Sequence, residues 1–186
     1  MQAVGWQAIG SKWTGDWAER KSPPGKADHP VNEAAWDEAM AYCGWLSEVT
    51  GRAYSLPSEA EWEKGARGTD GRIYPWGKQW DATRCNADKG NQGDTTPVDA
   101  YPQGASPYGV LDMAGNVWEW TRSLWDEYPY MERARRENLQ SPDDKARVLR
   151  GGAFHRDPRL VRCAYRGRFS PYSRSRHAGF RVVMHL

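Results

Sequence analysis

Residues 30–68 read PVNEAAWDEAMAYCGWLSEVTGRAYSLPSEAEWEKGARG and contain the clearest periodic pattern in the chain. Apolar residues recur there at intervals of three or four positions: Trp36, Ala39, Met40, Cys43 and Leu46. This spacing is typical of a helix with one buried face, and Gly51 supplies a stop. We therefore predict a helix over residues 37–50, with Cys43 as a small buried side chain rather than a reactive thiol.

A second helix is predicted directly after the first. Ser58 and Glu61 have the spacing of a capping box, in which each side chain bonds the backbone N–H of the other residue. Gly68 is suited to end the helix. The pattern predicts a helix from Glu59 to about Arg67.

The rest of the chain is rich in turn residues and contains only short strand patterns. We predict strands at VWEWT (117–121), RVLR (147–150) and GFRVVMHL (179–186). Stretches such as PWG (75–77) and GNQGD (90–94) predict loops. Two early helices followed by short, irregular strands indicate an α+β fold with large loop content.

Length and composition bound the class of protein. At 186 residues the chain fits one domain, so we predict a single domain over 1–186, with 1–30 as an irregular N-terminal segment and 126–145 as an exposed, charged excursion. No apolar run reaches the roughly 18–20 residues that span a membrane, and the N-terminus lacks a signal-peptide pattern. Three widely spaced Cys argue against a disulfide framework. We predict a cytoplasmic protein.

The segment 153–178 has an unusual composition. It reads AFHRDPRLVRCAYRGRFSPYSRSRHA and contains no Lys, Glu, Gln, Met or Trp, although the composition of the remaining chain predicts about six of them. Randomising the two adenines of an AAC codon yields fifteen residue types and excludes those same five. Chance in an Arg-rich loop is the alternative explanation of this composition.

Several stretches together resemble the formylglycine-generating-enzyme family. They are 30–68, YPWG (74–77), TTPVDAYP (95–102), GVLDMAGNVWEWT (109–121), RVLRGGAF (147–154) and GFRVV (179–183), in the order of the family. The resemblance implies a C-type lectin-like fold with two helices beside a small, twisted antiparallel sheet.

Catalytic members use two Cys, five residues apart, to bind copper. The matching positions here are Arg156 and about Val161, and neither side chain is a thiol ligand. We therefore expect no enzymatic activity, with an oxidoreductase or accessory domain with altered ligands as the alternative.

The C-terminal segment resembles the variable region of diversity-generating-retroelement proteins built on this same fold. In those proteins an error-prone reverse transcriptase rewrites the 3′ end of the gene at adenines. The resemblance implies a non-enzymatic binding protein that displays a hypervariable surface to an unknown ligand, a protein or another macromolecule. The twelve positions that would vary are Phe154, His155, Arg156, Asp157, Leu160, Gly167, Phe169, Ser170, Tyr172, Ser173, Ser175 and His177.

Each of these twelve positions also has an ordinary packing or surface role as its alternative, and for Phe154 and Leu160 the two roles are equally supported. Fixed anchors would be Gly151, Gly152, Pro158, Ala164, Gly179 and Phe180. We expect residues 153–178 to form ordered loops whose variable side chains converge on one exposed patch, since Pro158 and Pro171 interrupt strand pairing.

The sequence also has features of a calcium site and of a nucleic-acid site. The resemblance implies a calcium site formed by the carboxylates of Asp112 and Glu119 and the carbonyls of Gly115 and Val117. The alternative is that Asp112 caps a turn and Glu119 pairs with an Arg. No other cofactor is expected. The Arg cluster in 153–178 is compatible with nucleic acid, but its fixed Arg side chains are expected to pair with carboxylates or backbone instead.

Overall fold

Helices and short strands alternate along the chain, and most of the connecting structure is irregular. The structure, a computed structural model, describes residues 22–87, 93–129, 132–140 and 145–186. The helices are α1 (Trp36–Thr50), α2 (Glu59–Arg67) and the short α3 (Arg133–Arg136). The strands are β1 (Ala53–Ser55), β2 (Trp118–Leu124), β3 (Arg147–Arg150), β4 (Gly167–Phe169), β5 (Ala178–Phe180) and β6 (Val183–His185). No described helix has the length and apolar character that crossing a membrane requires.

The two predicted helices are confirmed, together with their ends. At the start of α1 the backbone N–H of Ala35 donates to the Glu38 carboxylate at 2.8 Å. Gly51 ends this helix in the left-handed conformation, with φ of 66°, which glycine adopts without steric cost. In α2 the predicted capping box forms in both directions between Ser58 and Glu61. Local sequence therefore defines both helices.

The strands form two separate sheets. The larger has the order β4-β3-β2-β5, in which β2 pairs antiparallel with β3 and parallel with β5, and β3 pairs antiparallel with β4. The smaller pairs β1 with β6, antiparallel. The two helices and small sheets confirm the predicted α+β class with large loop content.

Strand β2 is central, and all seven of its residues are buried. Trp118 and Trp120 pack in one apolar cluster with Trp36 and Cys43 of α1. On the opposite side of the strand, Glu119 accepts a hydrogen bond from the indole N–H of α2 Trp62 at 2.6 Å. Because both surfaces of β2 are covered, the sheet is a rigid support for the loops that leave its edges.

The C-terminal strand prediction was partly wrong. The predicted strand over 179–186 is divided into β5 and β6, which belong to different sheets. Between them Arg181 turns toward Glu119, pairs with its carboxylate and donates to the carbonyl of Leu111 at 3.1 Å. This buried ion pair redirects the chain. The paired strand β4 also lies within the segment predicted to form loops only. The predictions for residues 1–21 and 88–92, and those for 130–131 and 141–144 of the predicted excursion, lie outside the described residues.

Candidate binding surface

Burial along 153–178 separates the twelve predicted variable positions from the apolar residues between them. Eleven of the twelve are exposed or partly exposed, and Phe154 is the exception. By contrast, Ala153, Val161, Cys163 and Ala178 are all 0% exposed. Two intervening glycines, Gly151 and Gly152, have φ of 93° and 77°, a conformation that other residues adopt only with strain. The segment is thus held from below by residues outside the predicted variable set, although the predicted anchor Ala164 is exposed.

One group of predicted site residues forms around two imidazoles. The ring centroids of His155 and His177 lie 3.9 Å apart, and the Ser175 hydroxyl lies 3.4 Å from His177 Nδ1. Desolvation, together with the charges of His177, Arg156 and Arg176, lowers the pKa of His155 to about 4. Desolvation and the two Arg also lower the pKa of His177. Both rings are therefore mainly neutral at pH 7, and their planes are inclined at 40° to each other.

A second group lines a groove of about 460 Å³ beside strand β4. Its predicted members are Arg156, Leu160, Gly167 and Phe169. We call this space the β4 groove. Arg156 also influences both imidazoles electrostatically, so it connects the two groups. The structure thus brings together His155, Arg156, Leu160, Gly167, Phe169, Ser175 and His177.

The other predicted site residues belong to two turns. Asp157 caps the turn at 158–160 and pairs with Arg159 at 2.9 Å. Ser170, Tyr172 and Ser173 form a turn, in which the Ser173 N–H donates to the Ser170 carbonyl at 2.9 Å. That turn docks on α1, because the Trp36 N–H donates to the Pro171 carbonyl at 2.9 Å. Asp157 adjoins the β4 groove, because the N–H of the lining residue Leu160 donates to the Asp157 carbonyl at 2.8 Å.

Two of the twelve predictions need correction. Phe154 is 1% exposed, so its ring is a packing residue under His177, at 5.0 Å between centroids, rather than a surface contact. Gly167 is constrained by its neighbour, since a Cβ there would lie 2.9 Å from the Trp118 ring. Any larger residue at 167 has to displace that buried indole. Local sequence shows neither effect, because both partners are distant in the chain.

Three of the fixed arginines have hydrogen-bond or ion-pair partners. Arg166 donates to both oxygens of Glu59, at 2.5 and 2.8 Å, and Arg174 pairs with Glu38 at 2.9 Å. Arg162 donates to the Arg159 carbonyl at 2.8 Å. Guanidinium groups engaged in this way hold the loops in place and are less available to phosphates. This arrangement is the one expected when the Arg cluster is structural rather than a nucleic-acid site.

Cysteine chemistry has little support in the geometry. Cys43, Cys85 and Cys163 are buried and free. Burial raises the pKa of the Cys163 thiol to about 12, and that of Cys85 to about 12 as well. The positions that match the copper-binding pair hold Arg156 and, in the core, Val161. These residues do not fit a copper ion.

The predicted calcium ligands also form a different arrangement. Glu119 pairs with Arg181 through both carboxylate oxygens. Asp112 Oδ2 accepts from Asn116 at 2.9 Å, and burial raises the pKa of Asp112 to about 6. A carboxylate already neutralised by a guanidinium fits an ion pair better than Ca²⁺. Calcium at Asp112, Gly115, Val117 and Glu119 stays a prediction.

The sequence pattern missed residues that line the β4 groove without belonging to the predicted variable set. They include Trp118, Trp125, Tyr165, Arg166 and Arg168. The Arg166 and Arg168 guanidinium carbons lie 4.4 and 5.1 Å from the Trp125 ring centroid, in the range of cation–π contacts. The unusual Trp content of the chain is a signal for such a lining, but composition does not show which Trp residues form it.

Comparison with known proteins places this chain in a family. The formylglycine-generating enzyme of Thermomonospora curvata is 35% identical, over 98% of this chain and 64% of its own length. The serine/threonine-protein kinase Pkn1 of Chlamydia trachomatis is 40% identical, over 86% of this chain and 25% of its own. The chain thus spans between a quarter and about two thirds of these curated relatives.

A solved structure and a family profile complete the comparison. The structure of Treponema denticola variable protein 1 aligns with a TM-score of 0.73 and 22% identity, over 97% of this chain and 80% of its own. At that identity it shows the fold. Residues 2–186 match the profile of the sulfatase-modifying factor enzyme 1-like domain. The chain belongs to the family of that domain.

Proposed function

We propose that the chain is a non-enzymatic binding protein that displays a retroelement-diversified surface on its C-terminal segment. The observation that carries the proposal is the division of 153–178 by burial. Eleven of the twelve predicted variable positions have access to solvent, whereas the residues of the segment that are 0% exposed, Ala153, Val161, Cys163 and Ala178, lie outside the predicted set. A diversified surface requires this division, because the fold must survive changes at every displayed position.

The chemistry of the segment supports the non-enzymatic part of the proposal. An oxidation that uses a Cys pair needs two accessible thiolates, whereas Cys163 is buried with a raised pKa. Formylglycine-generating enzymes are among the relatives, so an oxidoreductase with altered ligands remains the alternative function. The name "variable protein" of the Treponema structure supports the display function by analogy in fold alone. We further propose a cytoplasmic location, because the three cysteines are free.

The display function predicts tolerance to simultaneous substitution. Replacing His155, Arg156, Asp157, Tyr172, Ser173 and Ser175 together by other AAC-reachable types should lower the free energy of unfolding by only about 1 kcal/mol in total, as for surface sites. Urea titration followed by circular dichroism measures it. A matched variant replaces the buried residues Ala153, Val161 and Cys163, with substitutions that change side-chain polarity by a similar amount. This variant should fail to fold. Equal losses in both variants would reject the display function.

The non-enzymatic part predicts the absence of aldehyde formation. Incubation with a sulfatase-type Cys peptide and Cu(I) should leave the peptide mass unchanged, because the residues at the positions of the copper pair are Arg156 and Val161. Mass spectrometry reads the product, with an active formylglycine-generating enzyme as the positive control. Turnover that disappears in Cys163→Ser would instead establish the oxidoreductase alternative.

A further inference from the structure

Two buried N–H donors without an acceptor belong to residues that line the β4 groove. They are Trp118 Nε1 and Arg156 Nε, and neither has a hydrogen-bond partner in the part of the chain that the structure describes. Buried donors in proteins are nearly always paired, and an unpaired one at a functional surface needs an explanation. Trp118 is 4% exposed and belongs to the core cluster, whereas Arg156 is half-buried, so the Arg156 guanidinium is the donor that a ligand in the groove can reach.

The charge of the groove limits what that acceptor is. Among the described residues, Arg156 and Arg168 form no ion pair, whereas Arg166 is neutralised by Glu59. Glu127 is the carboxylate of the lining. Two unmatched guanidinium groups against one carboxylate leave an excess of one positive charge. This balance fits a single carboxylate and disfavours a run of phosphates, which Glu127 would repel.

The remaining lining is aromatic or aliphatic. Trp118, Trp125, Leu149, Tyr165 and Phe169 border the groove, and its volume of about 460 Å³ accommodates one or two side chains. Edge and face contacts with aromatic rings favour an aromatic guest over a small polar one. The groove therefore combines one cationic end group with a surface suited to a ring.

We infer that the β4 groove of this variant takes an acidic, aromatic peptide segment of a partner protein, with the carboxylate on Arg156 and the ring against Trp125 and Phe169. This inference rests on the proposed display function and specifies its ligand. Trp125 and Tyr165 supply the constant aromatic part, while the predicted variable residues Arg156, Leu160 and Phe169 set the preference. Other variants would then keep the apolar surface and change the charge that they select.

Four small probes of matched shape test the inference. 3-Phenylpropionate carries a ring and a carboxylate, 3-phenylpropionamide is neutral, phenethylamine is cationic, and butyrate lacks the ring. Titration of the full chain, followed by the indole N–H resonances in two-dimensional NMR, gives each Kd. We expect 3-phenylpropionate to bind most tightly and phenethylamine to bind least.

Two variants locate the carboxylate. Arg156→Gln should raise the Kd of 3-phenylpropionate about tenfold, the loss expected for a charge-assisted hydrogen bond. Arg159→Gln is the matched control, since its side chain is 81% exposed and it lies outside the groove. It should leave the Kd unchanged, and the melting temperatures of both variants should match that of the native chain.

Three results would overturn the inference. They are equal affinity for phenethylamine, an unchanged Kd in a folded Arg156→Gln variant, and displacement of 3-phenylpropionate by an eight-residue thymidine oligonucleotide at physiological salt. The last result would assign the groove to single-stranded nucleic acid. If the sixfold substitution is tolerated but no probe binds, this inference fails while the display function stands.

Discussion

Replacing Trp120 by Ala is expected to lower the free energy of unfolding by about 3–5 kcal/mol, the usual cost of removing a large buried aromatic side chain. Trp120 is 0% exposed, and its indole N–H donates to the Ala34 carbonyl at 2.8 Å. Its ring also contacts Phe169 edge-on, with 6.1 Å between centroids. The substitution removes packing between α1 and the central strand and leaves a buried carbonyl unpaired.

Tyr172→Ala is the control for this prediction. Its side chain is 56% exposed on the turn that docks on α1, so its removal should change the free energy of unfolding by about 0.5 kcal/mol or less. Denaturant titrations give the free energy of unfolding of each variant, and the two values are compared when the free energy has the same dependence on denaturant concentration in both. A Trp120→Ala variant as stable as Tyr172→Ala would show that the core lies elsewhere.

Glu59→Gln is expected to cost about 3–5 kcal/mol, because it breaks a buried ion pair and leaves charges without compensation. Glu59 is 0% exposed and accepts both N–H groups of Arg166. Arg150, whose side chain is also 0% exposed, lies 3.7 Å from the same carboxylate. The loss should appear as a lower denaturant midpoint with loosening of the loop that carries Arg166.

The matched control is Asp94→Asn, which removes an exposed pair with Lys26 at 2.7 Å. Exposed pairs contribute about 0–1 kcal/mol, since water and salt screen them. Equal losses in Glu59→Gln and Asp94→Asn would mean that the Glu59 pair is not a structural element of the domain.

Local patterns were sufficient for the two helices. The apolar spacing from Trp36 to Leu46 and the capping pair Ser58 and Glu61 act within a few residues, and the structure reproduces both. Strand β3 was predicted for the same reason, since RVLR ends in a pair of glycines that adopt positive φ. These elements could be predicted because contacts between residues close in the sequence stabilise them.

Long-range contacts determine the parts that could not be predicted. The division of the C-terminal strand depends on Arg181 reaching Glu119, 62 positions away. Strand β1 exists because Ala53–Ser55 pairs with β6 near the other end of the chain. The spacing of apolar residues carries no information on such distant partners. The predicted strand over 179–186 therefore continued through Arg181.

The same distinction applies to the candidate surface. The excluded residue types selected a segment in which eleven of the twelve predicted variable positions have access to solvent, although fixed residues such as Arg162, Ala164 and Arg168 are exposed as well. The β4 groove needed the structure, because Trp118 and Trp125 approach Gly167 and Phe169 only through sheet pairing and loop return. Composition thus predicted a segment with many solvent-accessible positions, whereas the fold determines what lies beside them.

Sequencing the gene and its flanks in independent isolates tests the central claim most directly. The account predicts a nearby reverse-transcriptase gene and an adenine-rich near-copy of codons 147–183. Differences between isolates should fall at adenine-templated positions of the exposed set, such as His155, Tyr172 and Ser173, and spare codons for buried Ala153, Val161 and Cys163. A locus without such a near-copy, in which Lys, Glu or Trp codons appear freely across 153–178, would contradict it.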